Sequence, residues 1–142
     1  MFLIKKCSTS DIKIIYKFVC LLENNSLNFK YFKNIFIKNL KDKNIIYLKC
    51  ISDKEVVGFA SCHIQYLLHH DCKVAEIQEM YVDSGFRSQG VGKLLIQSLI
   101  QKLQAKNVKL IEVTAQKKRK KAHQFYTSNE FKQTHLKFNK QI

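Results

Sequence analysis

The chain has 142 residues and a mass of 16.7 kDa, enough for one domain with a core of its own. Its 46% hydrophobic and 25% charged residues are the balance of an ordinary globular protein, and no apolar run reaches the roughly 18 residues of a membrane-spanning helix. A formal net charge of +14 points either to anionic partners or to a compositional bias, since Pro is absent and Gly numbers only 4; it decides nothing about the fold.

The start, Met1-Phe2-Leu3-Ile4-Lys5-Lys6, puts its basic residues after a short apolar stretch, the reverse of a secretory signal, so a cytoplasmic location is expected. Phe2 to Lys6 reads as a strand. Ser8 to Asp11 supplies cap residues for a helix carrying Ile12, Ile15, Tyr16, Val19, Cys20 and Leu22 near helical spacing. A second helix is predicted from Phe29 to Leu40. Ile45 to Ser52 and Val56 to Leu68 read as two strands of a hairpin across the polar turn Ser52 to Glu55. His69 to Lys73 is polar and reads as a loop, and Val74 to Val82 as the next strand. Gly90 to Lys106 has helical periodicity, Leu110 to Thr114 reads as a short strand, Lys118 to Ser128 as a basic helix, and Phe131 to Asn139 as a closing strand. No repeat or linker divides the chain, so residues 1–142 are one α/β domain with helices flanking a mixed central sheet, in the order β-α-α-β-β-β-α-β-α-β.

Cys7, Cys20, Cys50, Cys62 and Cys72 are odd in number and show no metal or redox spacing, so they are expected as reduced thiols, mostly buried. His63, His69, His70, Asp71, Cys72 and Glu79 also lack the spacing of a recognised metal site, and no metal is expected.

The informative unit is a strand, a turn and a helix: Glu76 to Val82, then Arg87-Ser88-Gln89-Gly90-Val91-Gly92, then Lys93 onward. A glycine turn that opens a helix exposes unpaired N–H groups at the positive end of the helix dipole, which suits phosphate. The Walker turn is excluded because Val91 follows Gly90 where Lys is required, and the three-glycine dinucleotide fingerprint is absent. Taken alone, Gly90 and Gly92 also suit a plain helix cap.

Arg87-x-x-Gly90-x-Gly92 after Tyr81-Val82, with Ala122-x-x-Phe125-Tyr126 and Phe131 downstream, resembles the pyrophosphate turn and later helix of the GNAT acetyltransferase superfamily. Within it, His69-His70, Glu76 to Glu79, His123-x-Phe125-Tyr126 and the ending Thr134-His135-x-Lys137-Phe138-x-Lys140 are similar to the aminoalkylphosphonate N-acetyltransferases. Ser84, Arg119 and Glu130 depart from the common Pro, Asn and Gly of the superfamily.

The resemblance implies an acyltransferase that binds acetyl-CoA through Met80, Tyr81, Val82, Arg87, Ser88, Gln89, Gly90, Val91, Gly92, Lys93, Arg119 and Ala122. It acetylates the primary amine of a small molecule. Tyr126 is then the acid that protonates the departing thiolate and Glu79 the base that deprotonates the amine, with the oxyanion facing the backbone N–H groups near Met80 to Val82. By strand alternation Glu79 shares a face with Ile77 and Tyr81, and Glu76 lies on the other face. His70, Glu76 and His135 are candidates for acceptor binding. An aminoalkylphosphonate is the leading acceptor, with polyamines, aminoglycosides and protein N-termini as alternatives, and a homodimer is a family-level expectation. The run Lys117 to Lys121 also admits a basic nucleic-acid-binding module without activity. That reading is the weaker, because no aromatic stacking platform interleaves the lysines.

Overall fold

The computed structural model describes residues 1–142. The elements in chain order are β1 (Phe2–Lys6), α1 (Ile12–Glu23), α2 (Phe29–Leu40), β2 (Ile45–Ser52), β3 (Glu55–Leu67), β4 (Cys72–Val82), α3 (Val91–Ala105), β5 (Val108–Val113) and α4 (Lys120–Ser128). The five strands form one sheet in sequence order. The first four pair antiparallel, and β5 joins β4 in parallel after the crossover through α3.

Local chemistry accounts for the helix ends. Ahead of α1, the Asp11 carboxylate accepts the Ser8 backbone N–H at 2.7 Å, and Asn24 closes the helix in the left-handed conformation at φ 49°. Asn28 caps α2, its side chain accepting the Tyr31 N–H at 3.0 Å. Asp11, buried at the foot of α1, meets Lys49 on β2 at 2.8 Å, which leaves no unpaired charge in that part of the core.

Each face of the sheet has its own core. Under α3 the packing is aliphatic: Val91, Leu95, Leu99 and Leu103 recur at helical spacing and lie on Leu48, Cys50, Ala60, Cys62, Ala75 and Ile77. The helix comes so near that a Cβ on Gly58 would stand 2.9 Å from Val91 Cγ1. Under α1 and α2 the packing is aromatic. Phe36 stacks on Tyr47 at 5.2 Å, Tyr47 meets Phe59 edge-on at 5.6 Å, and Phe18 lies against Tyr81 at 5.0 Å.

The strand expected from Phe131 to Asn139 does not form. Phe131 packs on Tyr126, but Lys132 to Ile142 are exposed and make no backbone hydrogen bond within the chain. A strand exists only through a ladder partner, and no strand lies beside this segment. The element order therefore ends on α4. The expected loop at His69 to Lys73 is shorter: Leu68–His70 makes one helical turn and β4 begins at Cys72.

Candidate active site

The turn from Arg87 to Gly92 sits at the end of β4, where Asp83 accepts the Gly85 N–H at 3.1 Å. Ser88 and Gly90 take positive φ, 61° and 87°. At Gly90 a side chain would meet no atom within 4 Å but would have to adopt a strained backbone, so Gly is there for conformation. The first backbone bond of α3 runs from Leu94 N–H to Gly90 O at 3.0 Å, and the N–H groups of Arg87 through Lys93 find no acceptor within the chain. Seven amides thus open together beside a helix start, with the Arg87 and Lys93 side chains exposed around them. The Val91 side chain is buried in the core, so only its amide is available. Arg87 is anchored, its Nε donating to Val82 O at 2.9 Å and its guanidinium 5.3 Å from the centre of the Tyr81 ring.

Gly92 also answers a packing need. A Cβ there would lie 2.8 Å from Phe125 Cζ. The missing side chain is the seat for α4, which reaches the turn from the far end of the chain. Next to Phe125, Tyr126 packs edge-on against Phe125 at 5.3 Å and Phe131 at 5.6 Å. Burial raises the Tyr126 hydroxyl above its ordinary value of 10.0, and the Arg119 charge pulls it partly back, so the phenol is protonated at neutral pH. Arg119 stands half-buried at the start of α4 and Ala122 within its first turn.

Between β4 and β5 the sheet opens. Their parallel pairing runs from Lys73/Val108 to Ile77/Val113 and stops, while β4 continues to Val82. The edge of Gln78 to Val82 that faces β5 therefore has no ladder partner, and Met80, Tyr81 and Val82 border a gap between the strands.

A bulge corrects the expected faces of β4. Ser61 pairs with Glu79 but the next residue, Cys62, pairs with Ile77, so Gln78 is an extra residue. Glu79 keeps Tyr81 on its side, the α1–α2 side, while Ile77 belongs to the aliphatic core under α3. Glu76, opposite His63, comes round to the side of Glu79, where Glu112 is its neighbour on β5. Simple alternation cannot foresee this, since the shift arises in the pairing with β3. Ser61, which sequence reasoning passed over, is fully buried and bonded to Glu79 twice. A lone hydroxyl inside the apolar run Phe59 to Ile64 was the available signal, because a buried hydroxyl needs a partner.

Two further candidates lie apart. His70 is at the tip of the β3–β4 hairpin, roughly 20 Å along the strand from Glu79. His135 is on the exposed tail, where its Nδ1 lies 2.6 Å from Thr134 Oγ1. The basic run brackets the start of α4 with exposed lysines. No three His, Cys, Asp or Glu side chains converge as a metal site, and all five cysteines are free, with Cys7, Cys50 and Cys62 buried. No helix is long and apolar enough to cross a membrane.

Comparison with known proteins bears on the family and the fold. The acetyltransferase (GNAT) family model matches residues 13–131. The chain is 33% identical over 139 residues to an aminoalkylphosphonate N-acetyltransferase of Salmonella typhimurium, covering 98% of this chain and 90% of that protein. Among solved structures it is similar to a transcriptional regulator from Bacillus halodurans, with a TM-score of 0.93, 21% identity and complete coverage of both chains. An aminoglycoside acetyltransferase from an uncultured soil metagenomic sample superposes with a TM-score of 0.81 at 19% identity, covering 99% of this chain and 96% of that one. At such identities the structural matches speak for the fold.

Proposed function

The chain belongs to the acetyltransferase (GNAT) family and is an N-acetyltransferase; on that premise we propose that it acetylates the primary amine of a small aminoalkylphosphonate. The observation that carries the acceptor is the 33% identity, along nearly the whole chain, to an aminoalkylphosphonate N-acetyltransferase. The local charge supports it. In a chain of net charge +14, Glu76, Glu79 and Glu112 share one side of the sheet beside the gap, a setting that favours the ammonium end of a zwitterionic acceptor.

Acetyl-CoA supplies the thioester carbonyl that the amine attacks. The open amides of Arg87 to Lys93, with Ser88, Gln89, Gly90 and Gly92 shaping the turn, are suited to its pyrophosphate, and Arg119 and Ala122 flank the arm that leads inward. The unpaired edge from Met80 to Val82 offers the N–H groups of those two residues to the carbonyl oxygen, since those of Glu79 and Asp83, and by alternation Tyr81, turn to β3. Glu79, on the α1–α2 side, takes the proton of the amine, and Glu76 helps hold the ammonium before it is lost. Tyr126, packed on the α3 side and protonated at neutral pH, donates to the sulfur as it leaves. Base and acid thus work from opposite faces of the sheet, across the gap between β4 and β5.

Release of free thiol from acetyl-CoA, followed across a panel of amines, tests the acceptor. (Aminomethyl)phosphonate is expected to exceed spermidine, an aminoglycoside and a peptide N-terminus in kcat/KM by at least about tenfold, the scale of one well-matched polar contact. A higher value for any of the other three overturns the phosphonate and leaves the acetyl transfer standing.

A further inference from the structure

Ser61 sits at the middle of β3, between Ala60 and Cys62, with no exposed surface. A hydroxyl taken out of water must find partners, and both of those that Ser61 finds belong to Glu79. Its Oγ accepts the backbone N–H of Glu79 at 2.9 Å and donates to Glu79 Oε1 at 2.5 Å. The bulge makes this possible. Where Gln78 is squeezed out of the ladder, the main-chain pairing of β3 with β4 is interrupted, and a side chain of β3 serves the Glu79 N–H.

No other side chain hydrogen-bonds to either member of that pair, though the Glu79 charge is felt at the Tyr47 phenol. Tyr47 stands beside Ser61 in the same row of the sheet, but its hydroxyl accepts from Asn39 Nδ2 at 2.7 Å. Glu76 and Glu112 also lie on this side, and Glu76 is held only by the exposed Gln78 amide at 2.9 Å and the Thr114 hydroxyl at 3.4 Å. Of the three, Glu79 alone has a buried partner bonded to both its main chain and its side chain.

We propose that Ser61 is a positioning residue for acetyl transfer, fixing Glu79 so that Oε2 is the oxygen presented to the acceptor amine. The inference rests on the reading of Glu79 as the base. One bond locks the carboxylate to the strand and the other occupies Oε1, so the proton leaving the amine nitrogen passes to Oε2 while the Ser61 proton stays on Oγ. A glutamate without such a clamp loses rotamer freedom each time it must face the amine. Ser61 removes that cost before the acceptor arrives.

The test is a double-mutant cycle on the full chain with acetyl-CoA and (aminomethyl)phosphonate, following kcat and both KM values, with circular dichroism to establish the fold of each variant. Ser61→Ala is expected to lower kcat about tenfold, in keeping with one charge-assisted hydrogen bond, while KM for acetyl-CoA stays unchanged. In a Glu79→Gln background the same substitution should cost nothing further. Ser61→Thr, which keeps the hydroxyl, should recover most of the rate. Ser61→Cys, close in size but a weak donor, should lose it as Ala does, and serves in place of Ala if that variant misfolds. An equal loss in both backgrounds, or one confined to KM for acetyl-CoA, makes Ser61 a packing residue and overturns the proposal. Full activity in Ser61→Ala beside a crippled Glu79→Gln overturns it alone; full activity in Glu79→Gln overturns it together with the reading of the base.

Discussion

The two faces of the sheet are put together in different ways. The α3 face is aliphatic and closely spaced, with two glycines letting elements touch: Gly58 under α3, and Gly92 under Phe125. The α1–α2 face is aromatic, built from rings stacked on Tyr47 and Tyr81, and polar groups are admitted there in fixed pairs such as Asp11 with Lys49 and Ser61 with Glu79. One face offers main-chain donors and a protonated phenol; the other offers carboxylates. The division suits an enzyme that must receive an anionic cosubstrate on one side and a cationic amine on the other.

The sharpest way to break that division is to remove the proposed acid. Tyr126→Phe should reduce kcat roughly 10³-fold, within the range of a positioned proton donor, with KM for acetyl-CoA near that of the parent in steady-state kinetics. Undiminished turnover would return Tyr126 to a packing role. Next comes the proposed base on the other face. Glu79→Gln is expected to cost roughly 10² in kcat, and undiminished turnover would move the role to Glu76 or to water.

Smaller effects concern the scaffold. Gly92→Ala forces a methyl against the Phe125 ring and should destabilise the fold by about 2 kcal/mol in urea unfolding. Phe125→Leu in the same chain should recover part of it, whereas the same exchange on the α1–α2 face, Phe36→Leu, should recover none.

A last effect, seen only in alkali, is shared equally between the faces. Burial pushes the thiols of Cys7, under α1 and α2, and Cys62, under α3, from 9.0 to about 12. The folded chain therefore holds these protons more tightly than the unfolded one. Their contribution to stability is complete below pH 9 and is lost as pH rises from there towards 12, at about 1.4 kcal/mol per pH unit for each thiol. Cys62→Ala should reduce the alkaline slope by one thiol's share in unfolding measured at successive pH values. A slope that does not change would mean that this thiol stays reachable by water.

What could be read from the chain alone divides along similar lines. Features set by neighbours in sequence were legible: α2 runs from Phe29 to Leu40 as its periodicity foretells, and the turn before α3 opens its amides as its glycines imply. Features set by a distant partner were not. The bulge at Gln78 depends on where β3 holds β4, and it reverses the side on which Glu76 lies. Gly92 declares a need for space, but Phe125, which fills that space, is more than thirty positions away. Alternating Leu136 and Phe138 have the form of a strand, yet that form has no expression without an edge to bind.

The contact at Gly92 also bears on how the halves of the catalytic apparatus keep time. With no side chain between them, the ring of Phe125 rests on the main chain of the first turn of α3, one residue from Tyr126. The amide turn and the phenol are thus joined through direct packing, as though mounted on one bracket. The spacing between the turn proposed to hold the cosubstrate and the phenol proposed to complete the reaction is thereby set on the α3 face, away from the packing of α1 and α2.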